Sequence, residues 1–112
     1  MRKLGLKDAF SVARIIKSAD LKNEIVEFAK NVKTKDKKNA QEVGLEFIVT
    51  MISSLSSKEV ENEFYSLYAD IRGNITPEQA SLMDITEVIA DIKHIIAEND
   101  IQSFFTSLSA LT

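Results

Sequence analysis

The stretch AQEVGLEFIVTMISSL, residues 40–55, has the most regular apolar pattern in the sequence. Its apolar side chains recur at intervals of three, four and seven residues, which places them on one broad face of an α-helix. A face this wide is typical of a central packed helix. Gly44 inside it costs about 1 kcal/mol relative to alanine, and we expect the close approach of a neighbouring helix to compensate.

The helical period continues on both sides of this stretch. It predicts a first helix from about Leu6 to Ser18, a second over 21–32, a fourth over 60–71 and short helices between 77 and 111. The sequence contains no period-two alternation and no Asn-Gly or Asp-Gly hairpin turn. We therefore predict an all-α fold in a single domain over residues 1–112, a small bundle of about five to six short amphipathic helices.

Polar residues mark the predicted helix starts. Thr76, Pro77 and Gln79 have the spacing of a capping box with proline at the first helical position. Asp84 and Glu87 have the spacing of a second box. The other expected caps are Asp20, Asp100 and either Ser56 or Ser57 at helix starts, and Gly73 as a left-handed C-terminal cap.

Composition excludes several classes of protein. The 112 residues carry a formal net charge of −3 and no cysteine, so disulfides and thiolate metal sites are absent. No signal peptide and no apolar run of about 18 residues is present, so a cytosolic protein with no membrane partner is expected. The basic run KTKDKK, residues 33–38, is interpreted as a solvated loop, the alternative being a contact with phosphate or an acidic partner.

Candidate chemistry is sparse. His94 is the only histidine and has no second histidine or cysteine to form a metal site or a triad. The segment YADIRGNITPEQ, residues 68–79, resembles a calcium loop, but Tyr68 and Gln79 occupy positions that require carboxylates. We predict a helix–turn–helix junction there, and for the whole chain no enzymatic activity, no metal and no cofactor.

Apolar residues are more numerous than one thin bundle needs. In the first helix, Leu6, Phe10, Ala13 and Ile16 form the expected core face, with a second apolar line beside it. Adjacent helical residues point about 100° apart, so Phe104 and Phe105 are both buried only if the last helix lies in a groove or meets another chain. A surplus apolar surface is a partner site, and we predict one formed by Val12, Ile15, Ala19, Ile101, Phe104, Phe105, Leu108 and Leu111.

The first two predicted helices also allow a DNA-binding alternative. VARIIKSADLKNEIVEFAK, residues 12–30, has the length of a helix-turn-helix. Its second helix would present a mixed surface that includes Glu24 and Glu27, which is a poor match to a phosphate-binding face. A small DNA-binding regulator and an adaptor subunit of unrelated function therefore remain as alternatives to a peptide-binding chaperone.

Both ends of the sequence carry a family resemblance. LKDAFSVARIIKSADLKNEI, residues 6–25, and ITEVIADIKHIIAENDIQSFFTSLSALT, residues 85–112, resemble the tail assembly chaperones of long-tailed phages of Gram-positive bacteria, in particular those of lactococcal phages. The feature with most weight is FF-x-S, here Phe104, Phe105, Thr106 and Ser107. The middle of the chain, 33–81, carries no such resemblance.

The resemblance implies an all-α protein in the host cytoplasm that is not part of the mature virion. Such a protein coats the tape measure protein before the tail tube polymerises around it. The implied partners are the tape measure protein, further copies of the chain in a homo-oligomer or spiral, and possibly the tail tube protein, with no nucleic acid. The family provides no invariant functional residue to transfer.

Overall fold

A computed structural model of the chain describes residues 1–55 and 57–112. Within these residues every regular element is an α-helix, as predicted, and there are seven rather than five to six. The short helix predicted after Thr76 forms as a separate element and brings the number to seven. The helices are α1 Leu6–Ser18, α2 Lys22–Lys33, α3 Lys37–Ser53, α4 Lys58–Arg72, α5 Pro77–Ser81, α6 Ile85–Glu98 and α7 Ile101–Leu111.

The most C-terminal helix, α7, lies in the middle of the fold and packs against α1, α2 and α3. Around it, α1 packs on α4, α3 packs on both α2 and α6, and α5 packs on α4. All seven helices contribute to one cluster of buried side chains. The groove expected for the last helix is therefore present, and three other helices form it.

Gly44 of α3 lies directly against α7. A Cβ atom at this position would lie 3.3 Å from Cγ1 of Ile101 and 3.6 Å from Cε2 of Phe105. Contacts as short as the first are rarely tolerated in a packed interior, so the missing side chain allows α7 to seat deeply. This confirms the predicted compensation for a glycine inside a helix.

Three predicted N-caps are confirmed. Thr76 accepts a hydrogen bond from the backbone N–H of Gln79 at 3.1 Å, and the Gln79 side chain accepts from the Thr76 N–H at 2.8 Å. Asp84 and Asp100 cap α6 and α7. The second capping box is wrong, because the Glu87 carboxylate accepts a hydrogen bond from Arg72 of α4 at 3.0 Å.

The prediction that Asp20 caps α2 is also wrong. Asp20 has a φ of +58°, and its backbone N–H bonds to the Lys17 carbonyl. The next N–H, of Leu21, reaches back to the Ile16 carbonyl at 2.9 Å. This pair of bonds is the Schellman arrangement that ends a helix, so Asp20 closes α1, and Leu21 is the N-cap of α2.

The two ends of α4 follow the prediction in part. The Ser57 side chain accepts from the Val60 N–H at 3.2 Å and caps the helix, whereas the alternative cap, Ser56, lies outside the described residues. Gly73 ends α4 with a φ of +80° and a ψ of 152°. It therefore has the positive φ expected of a glycine, in an extended rather than a left-handed helical conformation.

Candidate functional site

The two adjacent phenylalanines of α7 lie in different environments. Phe105 is 2 % exposed, and its ring centroid lies 4.6 Å from that of Phe28 and 5.7 Å from that of Phe47, edge to face in both cases. Phe28 and Phe47 stack on each other at 4.8 Å. We call these three rings the aromatic cluster. Phe104 is only half-buried and packs against the core from the other side.

Beside Phe104 lies a small apolar cavity of about 80 Å³ that is partly open to solvent. Its walls come from five helices and from the segment that precedes α1, and the surface that they present is entirely apolar. The half-exposed residues of the wall include Leu4, Val12, Phe64, Leu67, Ile95 and Phe104. Phe47 and Phe105 belong both to this wall and to the aromatic cluster.

The one hydroxyl in the cavity wall is turned away from the cavity. Tyr68 donates its hydroxyl hydrogen to Asp91 of α6, and Arg72 donates to the same carboxylate. Burial and the Asp91 hydrogen bond raise the pKa of Tyr68, which stays a neutral donor. Only ring carbons of Tyr68 are therefore available to anything inside the cavity.

A separate apolar surface lies on the outside of α1 and α7. Leu6 is 69 % exposed, Phe10 46 % and Leu111 42 %. With the half-buried Ala13 they form a surface that we call the α1–α7 strip. A groove of about 430 Å³ runs along its Phe10 and Leu111 end.

The charges along this groove are mostly positive. Three cationic side chains and one acidic side chain line it, namely Arg14, Lys17, Lys22 and Asp20. Arg14 also pairs with Glu63 of α4, Nε to Oε1 at 2.6 Å. The strip therefore has a basic rim in a chain whose net charge is −3.

The predicted partner residues divide into two groups. Val12, Ala19 and Phe104 are half-exposed, and Leu111 is exposed. The other four are buried in the core, which corrects the expectation that they form surplus surface: Ile15, Ile101, Phe105 and Leu108. In α1 the assignment of the two lines is wrong, because Ile15 and Ile16 are buried together while Leu6 and Phe10 face outward.

A signal in the sequence could have shown which line of α1 is exposed. From Phe10 the helical spacing leads to Arg14 and Lys17, both exposed. From Val12 it leads through Ile15 and Ile16 to Ala19. A line that ends in charged residues runs out to solvent, so the charges after Phe10 mark the outer face.

An ion pair fixes the segment that precedes α1. The Arg2 guanidinium donates to both carboxylate oxygens of Asp8, at 2.6 and 2.7 Å, and the Asp8 side chain is 1 % exposed. Gly5 adds a backbone N–H at 2.7 Å. Burial acts to raise the pKa of Asp8, but these hydrogen bonds and the Arg2 charge outweigh it, so the pKa is lowered.

This arrangement positions Leu4 in the cavity wall. The Arg2 backbone N–H bonds to the Ile71 carbonyl of α4 at 3.1 Å, and the Leu4 N–H bonds to the Asn99 side chain at 3.0 Å. The segment 2–5 is thus tied to α4 and to the end of α6. The Arg2–Asp8 pair therefore holds the segment that contributes Leu4 to the cavity wall, without lining the cavity itself.

The lysine-rich segment 33–38 connects α2 and α3. Gln102 of α7 holds its backbone, with the amide Nε2 donating to the Val32 carbonyl at 3.0 Å and to the Lys35 carbonyl at 2.7 Å. Most of its lysine side chains are exposed. The predicted loop is confirmed only for residues 34–36, because Lys33 ends α2 and Lys37 and Lys38 begin α3. A contact with phosphate or an acidic partner stays a prediction.

Among the described residues, no three His, Asp or Glu side chains come together as metal ligands would. His94 lies exposed on α6, and residues 68–79 form the end of α4, a turn and the start of α5. Among the same residues, no helix has the length and hydropathy that crossing a bilayer requires.

Comparison of the chain with protein-family models, with curated proteins and with solved structures finds no match. Neither a fold family nor an activity is therefore supplied by a relative. The resemblance of the two ends to tail assembly chaperones stays a prediction. The candidate binding features of the chain are therefore the α1–α7 strip and the cavity beside Phe104.

Proposed function

We propose that this chain is a non-catalytic chaperone that binds an apolar helical stretch of another polypeptide, and that this polypeptide is a phage tape measure protein. The single observation that carries the proposal is the α1–α7 strip. Large apolar side chains exposed next to one another mark a partner site more often than scattered ones do. The partner follows from the resemblance of residues 6–25 and 85–112 to tail assembly chaperones.

The occupant proposed for the strip is a helix with one apolar face. A helix laid along the strip would cover Leu6, Phe10 and Leu111 with residues spaced three and four apart. Because Lys17 and Lys22 lie on the rim, the preferred helix carries acidic residues beside its apolar face. Charge complementarity of this kind sets the partner and the speed of encounter more than the affinity.

Modest affinity suits a chaperone that has to release its client. Burial of apolar area is worth about 25 cal/mol per Å², and a strip of a few side chains provides only a small part of a stable interface. Several copies of the chain bound along one tape measure protein would raise the overall avidity without a tight individual contact. No group with a catalytic role is needed.

The test compares a variant in which exposed apolar residues of the strip become serine with a variant that has the same kind of change elsewhere on the surface. In the first variant, Leu6→Ser and Phe10→Ser are combined; in the control, Leu82→Ser alters an 86 % exposed leucine in the turn between α5 and α6. Binding is measured to a co-expressed tape measure protein and to synthetic amphipathic helices with acidic or basic flanks. We expect the strip variant to lose at least about tenfold in affinity, or 1.4 kcal/mol.

The control should bind like the wild type, and all three proteins should melt within a few degrees of one another. The acidic-flanked helix should bind better than the basic-flanked one at low salt, with the difference shrinking as salt is raised. The proposal is wrong if the wild type captures neither the tape measure protein nor either peptide. Equal binding by the strip variant and the wild type would show that the helix does not bind at the strip.

A further inference from the structure

An open groove of about 780 Å³ runs along the surface between α2 and α3, and we call it the α2–α3 groove. Its apolar lining comes from the half-buried Val43 and from Phe28 and Phe47 of the aromatic cluster. Its exposed charges are three carboxylates and one ammonium group, namely Glu24, Glu27, Glu46 and Lys30. The groove therefore has an apolar floor and an acidic rim.

The rim of this groove is opposite in charge to the rim of the α1–α7 strip. Within the groove, Glu27 pairs with Lys30 at 3.9 Å, and on the strip Arg14 pairs with Glu63. The other rim charges have no ion pair among the residues that the structure describes: Glu24 and Glu46 on the groove, and Lys17, Lys22 and Asp20 on the strip. The unpaired charges of the two surfaces are therefore complementary.

Apolar and charged groups are combined in the same way on both surfaces. On the strip, Lys17 follows the exposed Phe10 by seven residues and lies on the same face of α1. On the groove, Glu24 precedes Phe28 by four residues on α2, and Glu46 follows Val43 by three on α3. A strip seated in the groove can therefore place its phenylalanine on the apolar floor and its lysines against the glutamates in one contact.

The two surfaces lie on different sides of α2. Lys22 lines the groove along the strip, and Glu24 lines the α2–α3 groove. These residues are two positions apart and so point about 200° apart around the helix. A strip cannot reach the groove of its own chain, and each chain can offer its strip to one neighbour and its groove to another. Such a contact is head to tail, with different surfaces on its two sides.

We infer that the α1–α7 strip of one copy docks into the α2–α3 groove of a second copy, and that this contact and client binding exclude each other. The part that concerns the client rests on the proposed function. A second copy keeps Leu6, Phe10 and Leu111 of the strip from water until a client helix displaces it. Displacement is feasible because a few apolar side chains and exposed ion pairs make a weak contact.

The test reverses the charges of each rim in the full chain and measures association by analytical ultracentrifugation. The groove-reversal variant combines Glu24→Lys and Glu46→Lys, and the strip-reversal variant combines Lys17→Glu and Lys22→Glu. The average mass of the wild type should rise with protein concentration and fall as salt is added. Each variant alone should associate at least about tenfold more weakly, because like charges then face each other.

A mixture of the two variants tests the pairing itself. The strip of the groove-reversal variant keeps its lysines and meets the unaltered glutamates of the other variant, and the two reversed surfaces also carry opposite charges. The mixture should therefore associate like the wild type, a result that loss of folding cannot produce. A mixture that stays monomeric would overturn the inference.

A control variant makes the same change in net charge away from the groove. Glu59→Lys and Glu98→Lys alter exposed glutamates of α4 and α6 that do not line the α2–α3 groove, and the control should associate like the wild type. The inference is also wrong if the wild type is monomeric at every concentration. Association that survives both reversals, for example through the exposed Leu82 and Ile85, would contradict it as well.

Addition of the client peptide separates this inference from the proposed function. The groove-reversal variant keeps the strip unchanged and should bind the acidic-flanked helix at least as tightly as the wild type does. The same helix should dissociate the wild-type assembly, and an assembly that binds the helix and persists would contradict the mutual exclusion. Association that is restored by mixing, in a protein that binds no client helix, would support the contact between copies and refute only the proposed function.

Discussion

The two faces of α7 are packed in opposite ways, although Phe104 and Phe105 are neighbours in the chain. On one face, Phe105 joins Phe28 and Phe47 in the aromatic cluster, and Leu108 is fully buried next to it. Phe104 is half-buried, packs edge to face on Phe105 with 5.7 Å between ring centroids, and borders the cavity of about 80 Å³ together with it. Phe105 therefore belongs to both the cluster and the cavity wall, whereas Phe104 lies outside the cluster.

The comparison distinguishes the side chains that stabilise the position of α7 from those that border the cavity. Edge-to-face rings add about 0.5–1.5 kcal/mol per pair beyond their burial, so the cluster side fixes the position of α7. The cavity side lies where five helices and the segment before α1 converge, and their side chains do not meet across the gap. Substitutions should therefore act differently on the two faces.

The largest expected effect is on the cluster side. Phe105→Ala removes a ring from a packed cluster, and we expect it to lower the free energy of unfolding by roughly 3–5 kcal/mol. Urea denaturation followed by circular dichroism measures the change. Phe105→Leu, which keeps most of the volume, should lose much less, and a similar loss in both variants would mean that ring contacts alone decide the effect.

The next effect concerns the Arg2–Asp8 pair beside the cavity. Asp8→Asn removes the buried carboxylate partner of Arg2 and leaves it only the exposed Asp70, and we expect a loss of about 1–3 kcal/mol at pH 7. Because the folded state lowers the pKa of Asp8, its contribution is present above the ordinary carboxyl pKa near 4 and is lost as pH falls below it.

The measurement is the unfolding free energy of wild type and Asp8→Asn between pH 2 and pH 7. The difference between them should be constant above about pH 5 and should shrink below about pH 4. Asp100 also has a lowered pKa, through hydrogen bonds from Ser103, so Asp100→Asn is the matched control on a cap away from the cavity. A pH-independent difference for Asp8→Asn would contradict the assigned role of its carboxylate.

A smaller effect is expected for Phe104→Ala. Its ring is half-buried and already borders unfilled space, so its removal should cost roughly 1–2 kcal/mol, less than half the cost at Phe105. The same denaturation experiment gives the ratio. Equal losses at the two positions would remove the contrast between the two faces of α7.

The smallest effect is expected for Val12→Ile, and its sign is opposite to that of a matched substitution in the packed core. Val12→Ile places one methylene in the cavity and should stabilise the protein by up to about 0.8 kcal/mol. Val32→Ile adds the same group at a fully buried position on α2, outside the cavity wall, and should destabilise it by about 1–3 kcal/mol through overpacking. Thermal and urea unfolding of both variants measure the difference.

Most of the fold could be predicted from local patterns. The bounds of α1, the Thr76 capping box and the caps at Asp84 and Asp100 depend on residues within a few positions of one another. Even the role of Gly44 was accessible, because a glycine inside a helix implies a close neighbour. The identity of that neighbour, α7, was not, since it depends on the arrangement of all the helices.

The wrong predictions concern residues whose local sequence is compatible with two different partners. Asp20 could cap α2 or close α1, and the left-handed turn was decided by where α2 has to pack. Glu87 could bond to its own helix or to Arg72. In α1, both apolar lines satisfy the helical period, and only contacts with α4 and α7 decide which of them is buried.

The cavity could not be predicted from the sequence at all. Its wall residues are ordinary core residues such as Leu67 and Ile95, and nothing in their spacing records how completely they meet. A void is the difference between the volume enclosed by helices and the volume of their side chains. That difference is a property of the whole assembly and belongs to no segment.

The central position of α7 has a consequence for synthesis on the ribosome. Residues 101–111 fill the space between α1, α2 and α3, so the earlier helices leave the exit tunnel without the segment that seats among them. Until then Phe28 and Phe47 lack the Phe105 ring that packs against them, and the nascent chain exposes apolar side chains to other proteins. Completion of the core is therefore timed by translation of the last helix, and a pause just before codon 101 would lengthen the vulnerable interval.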